Sequence, residues 1–222
     1  MRACVDLFVF DLAGTMVVDA DHVLLAFVDT ATAFELTVDE RVLRARMGWH
    51  KEHVFATLLR ENGRDTQAAA AMARRFEEEF LRQVVQRPLR PTRGASAALL
   101  ALHERGVKVA FNTGFSRATA DTVLKAMGWA SWPSVASDEV EHGRPAPDLI
   151  QRAMQLTGIT NPARVGVAGD TPADLLAGAA AHCGLIVGFG CGTHSLPELA
   201  RHPHTHLLAD PSSLAEVVFT DG

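Results

Sequence analysis

Apolar residues along this chain fall into short runs separated by longer amphipathic stretches. Residues 7–10, 107–111, 135–136, 165–168, 185–189 and 206–209 read as strands. Several of these runs are nearly continuous rather than alternating, which is the pattern of parallel strands covered on both faces. The segments between them have readable helix ends. The helix predicted over 94–105 stops at Gly106, that over 116–127 opens at Ser116 and stops at Gly128, and that over 148–157 stops at Gly158. Thr171-Pro172 supplies a cap followed by an N1 proline, and Ser195-x-x-Glu198 and Ser213-x-x-Glu216 have capping-box spacing. This alternation predicts a doubly wound α/β domain.

One region breaks the alternation. Residues 20–88 carry no strand pattern and read as helices over 24–34, 38–47, 53–60 and 67–86. Thr37-x-x-Glu40 is read as the capping box of the second, and Pro88 and Pro91 mark the return. The predicted organisation is a core of residues 1–18 and 90–222 interrupted by a helical insertion, 19–89. Trp129 and Trp132, beside Pro133, are read as exposed residues that pack rather than stack on a ligand.

Composition narrows the classes of function. The chain has 222 residues, 48% hydrophobic and 21% charged, in the ordinary range for a soluble globular protein. Its formal charge is −5, and no basic run exceeds two residues, so the electrostatic footprint of a nucleic-acid binder is absent. No apolar stretch approaches the roughly 18 residues of a membrane span. Cys4, Cys183 and Cys191 are far apart and lack metal-ligand spacing; they are read as reduced thiols, and with no leader-like segment a cytoplasmic location is expected.

In open α/β sheets, ligands bind outside the carboxyl ends of the strands. Those ends carry Asp11, Thr113, Arg144 and Asp170 with Asp174. Asp11 and Asp170 are hard oxygen donors suited to Mg²⁺, while Thr113 and Arg144 suit phosphate oxygens. An aspartate beside a cation can act as the nucleophile of an aspartyl-phosphate mechanism. His202, His204 and His206 alternate on one face of an extended segment, and are read as a loop entering the last strand rather than as a metal site.

Four segments in order resemble the motifs of the haloacid dehalogenase-like hydrolase superfamily: Asp11-Leu-Ala-Gly-Thr15, Asn112-Thr113-Gly114, Gly143-Arg144-Pro145-Ala146-Pro147 and Gly169-Asp170-Thr171-Pro172-Ala173-Asp174. The resemblance covers essentially the whole chain. It implies a Rossmann-like core with the helical insertion as a mobile cap. It implies that Asp11 is the nucleophile and a Mg²⁺ ligand, with the Ala13 carbonyl, Asp170 and Asp174 completing the metal site. Thr15, Thr113, Gly114 and Arg144 would hold the phosphoryl group. In relatives the first cap helix can form a homodimer surface.

Position 13 departs from the common pattern, which has an aspartate there as general acid/base. Alanine at this point resembles the phosphonatase branch, which cleaves the C–P bond of phosphonoacetaldehyde and has a carbon leaving group. In that branch a cap lysine forms a Schiff base with the aldehyde. Met47-Gly48-Trp49-His50-Lys51-Glu52-His53 is similar to the corresponding cap segment and puts Lys51 at the lysine position. His50 and His53 are candidate proton shuttles. Lys51 is one of only three lysines, against eighteen arginines, and the other two, Lys108 and Lys125, fall in the core. The reading favoured is Mg²⁺-dependent hydrolysis of phosphonoacetaldehyde or a related oxo-phosphonate. Its rivals are a phosphatase of small organic phosphates, a carbon–halogen hydrolase and a non-catalytic phosphate-ligand binding protein.

Overall fold

Alternate side chains of the first long strand go to opposite layers, and that sorting organises the molecule. The computed structural model describes residues 2–220. A short strand β1 (Arg2–Ala3) precedes β2 (Leu7–Asp11). Phe8 and Phe10 of β2 enter one apolar cluster, while Leu7 and Val9 enter another on the opposite face. Five further strands, β3 (Lys108–Asn112), β4 (Ser134–Val135), β5 (Val165–Gly169), β6 (Leu185–Phe189) and β7 (His206–Leu208), join β2 in a parallel sheet of order β4-β3-β2-β5-β6-β7. The chain winds outward from β2 in one direction, then returns and winds outward in the other. The carboxyl end of β2 therefore lies at the switch point, where a crevice opens. β8 (Phe219–Thr220) pairs antiparallel with β1 outside this sheet; two-residue strands have no hydrophobic period to detect.

Helices α1 (His22–Ala33), α2 (Glu40–Ala45), α3 (Lys51–Glu61) and α4 (Ala69–Gln86) all lie between β2 and β3 and form the cap. α5 (Ala95–Glu104), α6 (Arg117–Met127), α7 (Asp148–Thr157), α8 (Pro172–Ala180), α9 (Leu196–Leu199) and α10 (Leu214–Val218) accompany the strands of the core. Ser116 caps α6 and Gly128, at φ 74°, ends it; Thr171 and Pro172 open α8. α1 buries Val23, Leu24, Ala26 and Phe27 inside the protein, so a homodimer through α1 would use its outward face.

Four local expectations are corrected. α2 opens at Asp39, not Thr37, because the Asp39 carboxylate accepts the Arg41 N–H at 2.8 Å. α3 begins at Lys51 rather than at His53, which places both residues on one helix. The box at Ser213 does not form; a 3₁₀ turn capped by Asp210 takes up that segment first. Trp129 is buried, stacked 5.5 Å from Phe111, and Trp132 is half-buried, edge-on to His103 at 5.2 Å.

Cap and core share one apolar cluster. Phe27, Phe55 and Phe76 of the cap pack on one another, and Phe76 and Phe80 reach Phe115 of the core. At the same seam Glu77 of α4 accepts hydrogen bonds from Ser116 N–H (2.7 Å) and Thr119 Oγ1 (2.5 Å), and from the Ser116 hydroxyl. A cap carboxylate thus sits on the N-terminus of a core helix, where negative charge is favoured.

Candidate active site

Three carboxylates meet at the switch point. Asp11 ends β2, Asp170 follows β5, and Asp174 lies in the first turn of α8; one oxygen of each lies within 4.8 Å of the others, and all three are buried. Each is held from outside the cluster. Thr15 Oγ1 donates to Asp170 Oδ1 at 2.8 Å, and Thr193 N–H donates to Oδ2 at 2.7 Å. Thr171 donates its N–H (3.1 Å) and hydroxyl (2.6 Å) to Asp174 Oδ2. Gly14, at φ 86°, runs so close to Asp170 that a Cβ there would collide with the carboxylate. Burial, and then the charge of Asp11, push the Asp170 carboxyl up from its ordinary range. Three buried carboxylates with oxygens this close together are the hard donor set a small cation takes, so the residues fit Mg²⁺.

Arg144, in the loop after β4, supplies the positive charge. It is buried, its Nη2 lies 2.8 Å from Asp11 Oδ1, and its Nη1 contacts Asp174. Its Nε–H is buried with no hydrogen-bond partner, a donor free for an anion. Thr113 and Gly114 follow β3 beside it, and the Thr113 hydroxyl accepts the Phe115 N–H at 3.2 Å.

Lys51, at the first turn of α3, is the cap's contribution. It is only 6% exposed and lines one cavity with Asp11, Asp19, Thr113, Gly114 and Arg144. Its Nζ lies 5.5, 5.2 and 5.5 Å from the ring centroids of Phe27, Phe76 and Phe115, and 3.4 Å from the Trp49 carbonyl. Burial, and then the neighbouring Arg144, lower its pKa from 10.5 to about 8.

The site residues expected from the sequence do not all end in this cavity. Asp11, Ala13, Lys51, Thr113, Gly114 and Arg144 line it. Asp170 and Asp174 stand beside it with Asp11. Thr15 is fully buried with its hydroxyl committed to Asp170, so it orients that carboxylate rather than facing the cavity. His53 is exposed, packs tilted against Trp49 with ring centroids 5.6 Å apart, and lines an outer pocket with His142. His50 is half-buried against Gly143, its pKa lowered by burial and by Lys51. His202, His204 and His206 form no ligand cluster among the described residues; His204 Nδ1 bonds the His202 carbonyl instead. Two residues were missed. Asp19 lines the cavity and Glu77 anchors the seam beside Lys51; neither lies in a motif, and the only available signal was an acidic residue directly after the first strand-turn segment.

Comparison with known proteins bears on family and fold. A family model described as haloacid dehalogenase-like hydrolase matches residues 5–182. The phosphonoacetaldehyde hydrolase of Latilactobacillus sakei subsp. sakei (strain 23K) is 27% identical over 186 residues, 77% of this chain and 70% of that protein. The phosphonoacetaldehyde hydrolase of Bacillus cereus is 29% identical over 104 residues, 46% of this chain but only 39% of that protein. A hydrolase from Pseudomonas syringae has the same fold, with a TM-score of 0.86 at 24% identity over 95% of this chain and 96% of that one. With the motif carboxylates gathered at the switch point of the sheet and the family model spanning most of the sequence, the chain belongs to the haloacid dehalogenase-like hydrolases.

Proposed function

We propose that this protein is a phosphonatase-like hydrolase that cleaves the C–P bond of phosphonoacetaldehyde or a related oxo-phosphonate. The observation that carries the reading is Lys51: a buried amine, its pKa near 8, in the same cavity as Asp11 and as an alanine at position 13. General acid catalysis at an alcohol leaving group is worth ~10²–10⁴-fold, and Ala13 offers none. A carbon leaving group has no oxygen to protonate. It needs an electron sink, and a neutral lysine amine forms one with a carbonyl. Two curated relatives carry the name phosphonoacetaldehyde hydrolase, at 27% and 29% identity.

The residues divide the work as follows. Arg144, through its free Nε–H, with Thr113 and Gly114, holds the phosphonyl oxygens. Lys51 adds to the aldehyde and, after loss of water, becomes an iminium. Asp11 attacks phosphorus as the C–P bonding pair flows into the iminium, giving an enamine and an aspartyl phosphate. Water then frees phosphate, returns Asp11 and leaves a proton; that proton adds to the enamine carbon to give an iminium, whose hydrolysis releases acetaldehyde or the related carbonyl product and returns Lys51. Asp11, Asp170, Asp174 and the Ala13 carbonyl would hold Mg²⁺, which when bound neutralises charge on the phosphonyl oxygens. The cavity is tight, about 30 Å³, so substrate entry requires the cap to part from the core.

The test is phosphate release from phosphonoacetaldehyde with Mg²⁺, together with borohydride trapping at Lys51. Lys51→Arg keeps the charge but cannot form the imine, and is expected to lose trapping and at least ~10²-fold in rate. Unchanged activity in Lys51→Arg sinks the Schiff-base step. Turnover of phosphate esters alone replaces the reading with a phosphatase.

A further inference from the structure

Imine formation moves protons, and position 13 cannot move them. A carboxyl stands in the cavity by another route. Asp19 lies in the linker between β2 and α1, and lines the cavity of Asp11 and Lys51. It also lines a second cavity, of about 220 Å³, with Asp21, Arg44 and Cys191. Asp19 and Thr193 are the two residues common to both. Asp19 therefore forms part of the wall between the reacting amine and a larger space able to hold water.

Its surroundings fit a proton carrier. The side chain is 12% exposed, and Oδ1 accepts the Val23 N–H at 3.0 Å, which fixes the carboxyl on the start of α1. Behind it His22 is 2% exposed, and its Nε2 meets the Arg87 carbonyl at 2.7 Å. A carbonyl only accepts, so Nε2 donates, and in the neutral ring Nδ1 carries the lone pair. That Nδ1 has no hydrogen-bond partner and lies 3.8 Å from Asp19 Oδ1. The charged groups acting on Asp19 are Lys51, Asp170 and Asp21, with Arg44 in the shared cavity. Burial, then Asp170 and Asp21, push its pKa up to about 7 against the pull of Val23 N–H and Lys51. A group poised there exists in both protonation states near neutrality, the condition for acid/base exchange.

We propose that Asp19 is the acid/base residue of this site, serving the carbonyl chemistry of Lys51 in place of a carboxyl at position 13. The proposal rests on the reading of Lys51 given above. The Lys51 amine adds to the aldehyde carbon, and its surplus proton passes to the former carbonyl oxygen, giving a neutral carbinolamine. Asp19 as the acid protonates that hydroxyl; the C–O bond breaks with its pair, and water, iminium and the Asp19 carboxylate result. In the return step the carboxylate takes a proton from the water that adds to the iminium. Asp19 is then an acid again, and the cycle closes with no external co-reactant. Water enters and leaves on the Asp19 side.

The test separates the imine from the C–P bond. Acetaldehyde with cyanoborohydride, without Mg²⁺, alkylates Lys51 through its imine, and peptide mass mapping locates the product. Wild type is expected to be labelled at Lys51 at a rate governed by a group titrating near 7. Asp19→Asn keeps an acceptor for Val23 N–H but carries no proton to give. It is expected to label ~10²-fold more slowly and to lose that pH limb. Asp19→Glu is expected to recover part of the rate, which a purely structural role for Asp19 would not predict. Wild-type labelling that is unchanged in Asp19→Asn overturns this proposal and leaves the reading of Lys51 standing. Absence of labelling at Lys51 in wild type overturns both.

Discussion

Lys51 is held in a place where its charge is unwelcome, and this gives it both reactivity and a stability cost. Its folded pKa is about 8, against 10.5 for an ordinary lysine. Between those values the unfolded chain binds more protons than the folded one, so stability rises with pH across that window; the penalty is fully present below about 8. Lys51→Met removes the charge and keeps the length. It is expected to stabilise the protein at neutral pH by on the order of 1 kcal/mol or more, and to flatten the rise in stability toward alkaline pH. Urea unfolding at several pH values measures both; a destabilised variant with an unchanged pH profile contradicts the burial argument. Ala13 and Lys51 were legible as residues because each departs from, or matches, a motif position. Asp19 was not: at position 19 it is one more acidic residue in a linker, and only its neighbours in space give it a raised pKa.

At the scale of elements, α4 carries a polar contact that joins the helical insertion to the core. Its sequence offers Glu77, Glu78 and Glu79 in a row, and composition cannot tell them apart. Helical rotation does. Glu79 turns to Arg75 and Arg82, whereas Glu77 turns to the N-terminus of α6 and accepts from Ser116 and Thr119. Hydrogen bonds to a charged group are worth ~1.5–3 kcal/mol. Glu77→Ala is expected to lower stability by about that amount and to raise KM, because the closed arrangement of cap and core is weakened. Thermal unfolding and steady-state kinetics of the variant check it; Glu78→Ala, exposed on the same helix, is expected to change neither. The helix starts at Asp39 and Lys51 show why element ends were less legible than element existence. At α2 two candidate caps, Thr37 and Asp39, lie within a turn of one another and the Asp39 carboxylate takes the Arg41 N–H; at α3 the residue before the helix, His50, makes no side-chain cap bond that a sequence could signal.

At the scale of the molecule, the sheet order brings together residues from the ends of β2, β3, β5 and the loop after β4, and the cap closes over them. The carboxylate cluster repels itself, so a cation that binds it stabilises the whole fold by mass action, about 2.7 kcal/mol at a hundred times its Kd. Millimolar Mg²⁺ is expected to raise the melting temperature, chelator to reverse the rise, and Asp170→Asn to abolish it. No rise with Mg²⁺ in wild type removes the metal from the proposed function. Among the described residues no helix is long and apolar enough to cross a membrane. The sequence alone determined the alternation of buried strands and amphipathic helices, the position of the helical insertion and the motif residues Asp11, Thr113, Arg144 and Asp170. Each of these depends on local periodicity or on spacing within a few residues. Tertiary structure decided what depends on separations through space: that Lys51 turns inward among three phenylalanines, that Thr15 serves Asp170, that His53 stays outside, that Asp19 lines the cavity, and that Glu77 joins the helical insertion to the core. Burial and charge proximity set those roles, and both are properties of the folded chain.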